Sequence, residues 1–148
     1  MTGHEETDPA RQAFGRLATM AASRAQGAAQ RYLNRFGIKL AYWPILLSLS
    51  QGGEKTQVEL AAQVDRTTAA VSLILGEMER EGLVTRRTNP DSRREVLVAL
   101  TRLGQEKWAE SATMWRQVNA IAHAGMSGNE IALLDDLLTR AIANLERG

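Results

Sequence analysis

Residues 56–101, TQVELAAQVDRTTAAVSLILGEMEREGLVTRRTNPDSRREVLVALT, decide the fold: they read as two short helices joined by a tight turn, then a hairpin carrying clustered arginines. Thr56 and Glu59 stand three apart and form a capping box, in which each side chain satisfies an otherwise free backbone N–H at a helix start. That helix is expected from about Gln57 to Gln63, with Leu60, Ala61 and Val64 on a short apolar stripe. Asp65-Arg66-Thr67 is a polar turn ending in a good N-cap residue, Thr67. So short a connection between two helices is that of a helix-turn-helix. In the second helix Val71, Ile74, Leu75 and Met78 fall within about 60° of one another's mean at 100° per residue and form the core face. The opposite face holds Ala69, Ser72, Leu73, Gly76 and Arg80, and Glu81-Gly82 closes the helix with a residue that tolerates a left-handed conformation.

Leu83–Arg87 and Glu95–Leu100 read as strands rich in branched residues. Thr88–Ser92 between them is turn chemistry, which predicts a hairpin with several loop residues. From Arg86 to Arg94 there are four arginines and one acid. Arginines at such a tip suit a narrow, strongly negative minor groove and the phosphates beside it. The fold class expected is therefore mainly α with a small β-hairpin wing: a winged helix-turn-helix over residues 37–100, flanked by N- and C-terminal dimerisation helices.

Those flanks show helical periodicity. Residues 9–36 carry Phe14, Leu17, Ala21, Ala25, Ala28 and Tyr32 in a stripe. Thr101 caps a helix predicted to run unbroken to about Ala122, with Leu103, Trp108, Trp115 and Val118 at helical spacing. A second capping box, Ser127 and Glu130, opens a last helix with Ile131, Leu134, Leu138, Ile142 and Leu145 on one stripe. The central module has its own core, so these stripes need another surface, and a second copy related by a two-fold axis is the economical one. Residues 9–36 and 101–148 are thus the expected dimerisation region, and 1–8 a mobile tail. In a homodimer the second helices of the two modules would enter successive major grooves and predict an inverted-repeat operator on double-stranded DNA.

Composition narrows the chemistry. The 148 residues carry a net charge of +1 and a pI near 8.2, so a basic footprint must be local, and the wing is where it concentrates. With no cysteine there is no disulfide, thiol nucleophile or cysteine redox switch. The only histidines, His4 in the tail and His123 near a helix end, have no metal-ligand spacing, and Gly52-Gly53 lacks the lysine pattern of a phosphate-cradling loop. No enzyme activity, cofactor or metal is expected. The N-terminus MTGHEETDPARQ has neither a basic start nor an apolar run, and no apolar stretch approaches the roughly 18 residues of a membrane span, so the expectation is a cytoplasmic protein without a membrane partner.

The segment LAAQVDRTTAAVSLILGEMEREGLVTRR, followed by NPDSRREVLVALTRLG, resembles the multiple antibiotic resistance regulator (MarR) family. The match comprises the Leu-Ala pair, the hydroxyl cap, Val71-Ser72, the E-R-E-G-L-V run, the paired arginines of the wing and L-T-x-x-G at the next helix, and upstream GIKLAYWPILLSLSQGG looks like the family's second helix. It covers about Gly37 to Gly104. The resemblance implies a transcriptional regulator, usually a repressor, that binds a palindromic operator as a homodimer and is often released by a small ligand. On this reading Thr67 and the helix start meet phosphate, Thr68 and Ser72 hydrogen-bond, and Ala69 and Leu73 pack on thymine methyl groups. Arg94 or Arg93 enters the minor groove, while Arg86 and Arg87 support the strand or touch phosphate. Tyr42, Trp43 and Trp108 are the aromatics suited to a small aromatic or hydrophobic effector. The chain departs from the family where relatives often place long polar side chains, having Leu73, Gly76 and Glu77, and Ser92 in place of the aspartate before the paired arginines. So sparse a base-reading face leaves a protein-interaction module with weak or no DNA binding as the alternative.

Overall fold

Local signals place most of the elements. The computed structural model describes Pro9–Gly148, with side chains from residue 13 onward; the expected tail over 1–8, with His4, lies outside the described residues. Helix α1 spans Pro9–Asn34, a 3-10 turn Leu40–Tyr42 leads into α2, Trp43–Gly52, and a two-residue strand β1, Lys55–Thr56, precedes α3, Gln57–Gln63. Thr56 ends β1 and caps α3: its hydroxyl accepts from the Glu59 N–H at 3.1 Å while Glu59 accepts from the Thr56 N–H at 2.9 Å. The turn that follows passes through Asp65 with φ of 52°, and Thr67 caps α4, Thr68–Arg80, by accepting from the Ala70 N–H. Gly82, with φ of 76°, turns the chain out of α4 into β2, Val84–Asn89.

The hairpin is tighter than the turn residues suggested. Strand β3, Ser92–Leu100, pairs antiparallel with β2 from Val84↔Leu100 to Asn89↔Ser92, so only Pro90 and Asp91 lie between the strands. Instead of a multi-residue loop there is a bulge: Thr88 opposes Val96 and Asn89 opposes Ser92, leaving Arg93, Arg94 and Glu95 unmatched on β3. Asn89 braces the tip, accepting from the Asp91 N–H at 3.0 Å and donating through Nδ2 to Glu95 Oε2 at 2.7 Å. On its other edge β3 pairs with β1, a strand too short for any periodicity to reveal, giving the sheet order β1-β3-β2.

Beyond the wing, the single helix expected from Thr101 to Ala122 is two: α5, Arg102–Ser111, and α6, Met114–Ala122. The break is held by distant partners. The Ser111 carbonyl accepts from Trp43 Nε1 at 3.3 Å, and the Thr113 hydroxyl lies 2.9 Å from the Tyr32 hydroxyl. Helix α7, Gly128–Arg147, begins at the expected capping box of Ser127 and Glu130.

The chain divides into one compact unit ending at Trp115 and a second of Arg116–Gly148. In the first, Leu33 of α1, Tyr42, Ile45 and Leu46 around α2, Leu60, Val71, Leu75 and Met78 of the helix pair and Val84 and Val98 of the sheet are fully buried. The C-terminal part of α1 therefore shares this core, and Gln30 ties it to the following loop by donating to the Ile38 carbonyl and accepting from the Leu40 N–H. Helix α5 presses on the sheet at Gly104, where an added Cβ would overlap the Leu83 carbonyl oxygen and lie 3.1 Å from its carbon. In the second unit no residue of α7 is buried, and Leu133, Leu134, Leu137, Leu138, Ile142 and Leu145 are exposed.

Candidate nucleic-acid interface

Packing of one face of α4 leaves a ridge on the other. Val71, Leu75 and Met78 are buried, whereas Thr68, Ala69, Leu73 and Arg80 are exposed, with Ser72 and Gly76 half-buried beside them. Leu73 is the extreme case at 77% exposure, a large apolar side chain left in water on the face opposite the core. Thr67, its hydroxyl engaged in the cap, stands at the helix N-terminus, where backbone N–H groups and the helix dipole favour an anion. The ridge lacks long hydrogen-bonding side chains except Arg80, which helical spacing places on this face without distinguishing it from any solvated arginine. The bare spot at Gly76 is flanked by cations: a Cβ there would stand 3.7 Å from Arg86 Nη2 and 3.8 Å from Arg80 Nη1.

The wing arginines divide into two pairs by their partners. Arg86 donates from its backbone and from Nη2 to the Glu79 carboxylate, each at 3.2 Å, and from Nη1 to the Ser72 carbonyl at 3.5 Å, so it buttresses α4 against the sheet. Arg87 grips Glu54, in the connection from α2 to β1, through Nη2 at 2.7 Å and Nε at 3.2 Å. Arg93 and Arg94, on the bulge, are exposed and form no salt bridge among the described residues. The partners Glu79 and Glu54 could not be read from sequence, because each pair joins separate elements.

Glu77, which interrupts the ridge in sequence, is turned to one side of it. Its carboxylate accepts from Lys39 Nζ at 2.8 Å and from the Tyr42 hydroxyl at 3.1 Å, and these hydrogen bonds, the lysine's first, hold it below the usual carboxylate range. The same hydrogen bond raises Lys39. Burial, and then its bonds to Glu81 and Glu77, raise the Tyr42 phenol.

The three aromatics expected to share an effector site are not gathered around one cavity. Tyr42 is wholly enclosed and its hydroxyl is taken by two carboxylates, and it lines neither the cavity beside Trp108 nor that beside Trp43. Trp43 and Trp108 do pack together, ring centroids 5.6 Å apart, with Trp115 6.2 Å from Trp43. They open onto different spaces. Trp108 lines a cavity of about 390 Å³ with Leu49, Leu100, Gln105 and Glu54, and Trp43 one of about 320 Å³ with Pro44, Leu47 and Gln63. Among the described residues no cluster of His, Asp and Glu could hold a metal ion, and no helix is long and apolar enough to cross a membrane.

An exposed recognition ridge beside an arginine-tipped hairpin defines the class of the molecule, a winged helix-turn-helix protein. Comparison with known proteins gives its relatives. The HTH-type transcriptional regulator YdgJ of Bacillus subtilis is 32% identical over 109 residues, 74% of this chain and 66% of that protein, just under two thirds of its length. The HTH-type transcriptional repressor IacR of Pseudomonas putida is 22% identical over 97% of this chain and 90% of its own. Among solved structures, a mutant MarR from E. coli complexed with operator DNA superposes with a TM-score of 0.80 at 25% identity, covering 91% of this chain and 99% of that one. Over residues 38–96, the winged module, the chain matches the MarR family.

Proposed function

We propose that this chain represses transcription as a homodimer seated on an inverted-repeat operator, with each α4 in a major groove and each wing tip at the adjoining minor groove. That it is a DNA-binding transcriptional regulator follows from its MarR match. The observation that carries the residue-level reading is the division of the wing: Arg86 and Arg87 are spent on Glu79 and Glu54, while Arg93 and Arg94 stand exposed on the bulge. Thr67 meets phosphate at the helix start, Thr68 and Ser72 hydrogen-bond to base edges, and Ala69 and Leu73 pack on thymine methyls. With so little hydrogen-bonding capacity on the ridge, groove shape read by Arg93 and Arg94 supplies much of the specificity.

A second copy is the occupant that the apolar residues left bare in α7 call for, and those of α1, Phe14, Leu17 and Met20, add to the surface available. An aromatic or hydrophobic effector of modest size suits the cavity beside Trp108, where Leu49, Ala99 and Leu100 supply apolar lining and Gln105 and Glu54 polar groups. In-vitro selection of duplexes bound by the full chain, with sedimentation analysis of the protein and the complex, tests the reading. The expected result is an inverted repeat bound by two chains. Selection that enriches no duplex would instead favour a protein-interaction module, and a monomer on a single half-site would overturn the homodimer.

A further inference from the structure

The helix read as entering the groove bears acids in its C-terminal half. Glu77 and Glu79 lie in its last turns and Glu81 is its C-cap. Both helix acids are drawn sideways by a partner on another element: Glu79 by Arg86 on one flank, Glu77 by Lys39 on the other. On the second flank the buried Tyr42 hydroxyl shares its one proton between Glu81, at 2.8 Å, and Glu77, at 3.1 Å, and the Lys39 ammonium sits 5.6 Å from the centre of the Tyr42 ring. At 100° per residue Glu77 is only about 40° around the helix from Leu73, so a change of rotamer would bring its carboxylate toward the ridge. Lys39 alone is a weak restraint: the pair is largely exposed, and such pairs contribute little. Tyr42 is different, since its ring is locked in the core and its hydroxyl has a fixed position.

We propose that Tyr42, with Lys39, is a positioning residue for DNA binding: it holds the Glu77 carboxylate off the DNA-facing ridge, so that a helix carrying an acid there can approach phosphates. This rests on the reading of α4 as the helix that enters the groove. Phenylalanine would fill the same space in the core but leave Glu77 with only the exposed lysine, and the freed carboxylate would face the phosphates it now avoids. The buried phenol thus has a function other than lining an effector site, which explains why a residue one helix removed from DNA should matter to binding.

The test uses the full chain and a duplex selected by the unmodified protein. Tyr42→Phe should weaken binding by about three- to tenfold at low salt, and Lys39→Met by a smaller factor in the same direction. The difference should shrink as salt screens the freed charge. Adding Glu77→Gln to either variant should return affinity to that of Glu77→Gln alone, because the charge being restrained is gone. A merely structural Tyr42 would leave Tyr42→Phe with Glu77→Gln as weak as Tyr42→Phe, and that outcome overturns the proposal, as does a Tyr42→Phe affinity equal to the unmodified protein's. Should Tyr42→Phe fail to fold, Lys39→Met, at an exposed site, decides by the same rescue. Recovery of no duplex would defeat the DNA-binding reading and this proposal together, whereas a duplex bound equally by all variants defeats only the role of Tyr42.

Discussion

Replacing Gly104 by alanine tests how tightly the joint between the wing and α5 is built. An alanine Cβ would overlap the Leu83 carbonyl oxygen and lie 3.2 Å from Leu100 Cδ2, so either α5 or the start of β2 must move. Leu83 has little freedom to do so. Its N–H donates to the Met78 carbonyl at 2.9 Å, its carbonyl accepts from the Thr101 N–H at 3.0 Å, and the Thr101 hydroxyl holds the neighbouring Gly82 carbonyl at 2.5 Å. Overpacking typically costs about 1–3 kcal/mol, and the strained Thr101–Leu83 hydrogen bond adds about 1 kcal/mol. Against this, alanine in a helix is favoured over glycine by about 1 kcal/mol. The net expectation is a loss of about 1–3 kcal/mol. At about 2–4 °C per kcal/mol for a chain near this size, Tm should fall by roughly 2–12 °C. Thermal unfolding followed by far-UV circular dichroism, at one fixed protein concentration, measures it. An unchanged or raised Tm would refute the close approach, because helix propensity alone predicts an increase.

Three further outcomes follow from the interface and the caps. Arg94→Ala, or the same change at Arg93, should weaken binding to a selected duplex and reduce the slope of log K against log salt by about 0.9, the share of one phosphate no longer neutralised; an unaltered affinity and slope would remove that arginine from the interface. Leu73→Ala should lower the preference for thymine at one operator position in a selected-site profile, and an identical profile would exclude packing on the methyl group. Glu130, held below the usual carboxylate range first by its backbone hydrogen bond at the Ser127 cap, adds stability that is fully present above that range and is lost as pH falls through its lowered value. Glu130→Gln should therefore keep α7 helical yet flatten the acid limb of Tm against pH, and superimposable acid limbs would contradict it.

What was legible in the sequence is what a few neighbouring residues decide. The boxes at Thr56 and Ser127, the cap at Thr67 and the turn at Gly82 each depend on groups within one helical turn, and all four are where the residues predict. The break between α5 and α6 was not legible, because Trp43 and Tyr32, both remote in sequence, hold it. Nor was the burial of Tyr42, whose aromatic type suits a ligand wall and a core equally until its neighbours are known. In the site, the arginine cluster was visible as composition. Its division into engaged and exposed pairs depends on Glu54 and Glu79, which only the folded sheet brings within reach.

The unmatched residues at the tip of the hairpin have an evolutionary consequence. Pairing from Val84↔Leu100 to Thr88↔Val96 is complete before the tip begins, and it fixes which side chains of the sheet enter the core. Beyond Thr88 only Asn89↔Ser92 pairs, across the bulge, and neither residue is buried. Residues can be inserted or removed there without shifting a single buried side chain. The length and charge of the tip, and so the span of groove it reaches, can thus diverge between relatives while the domain that carries it stays the same.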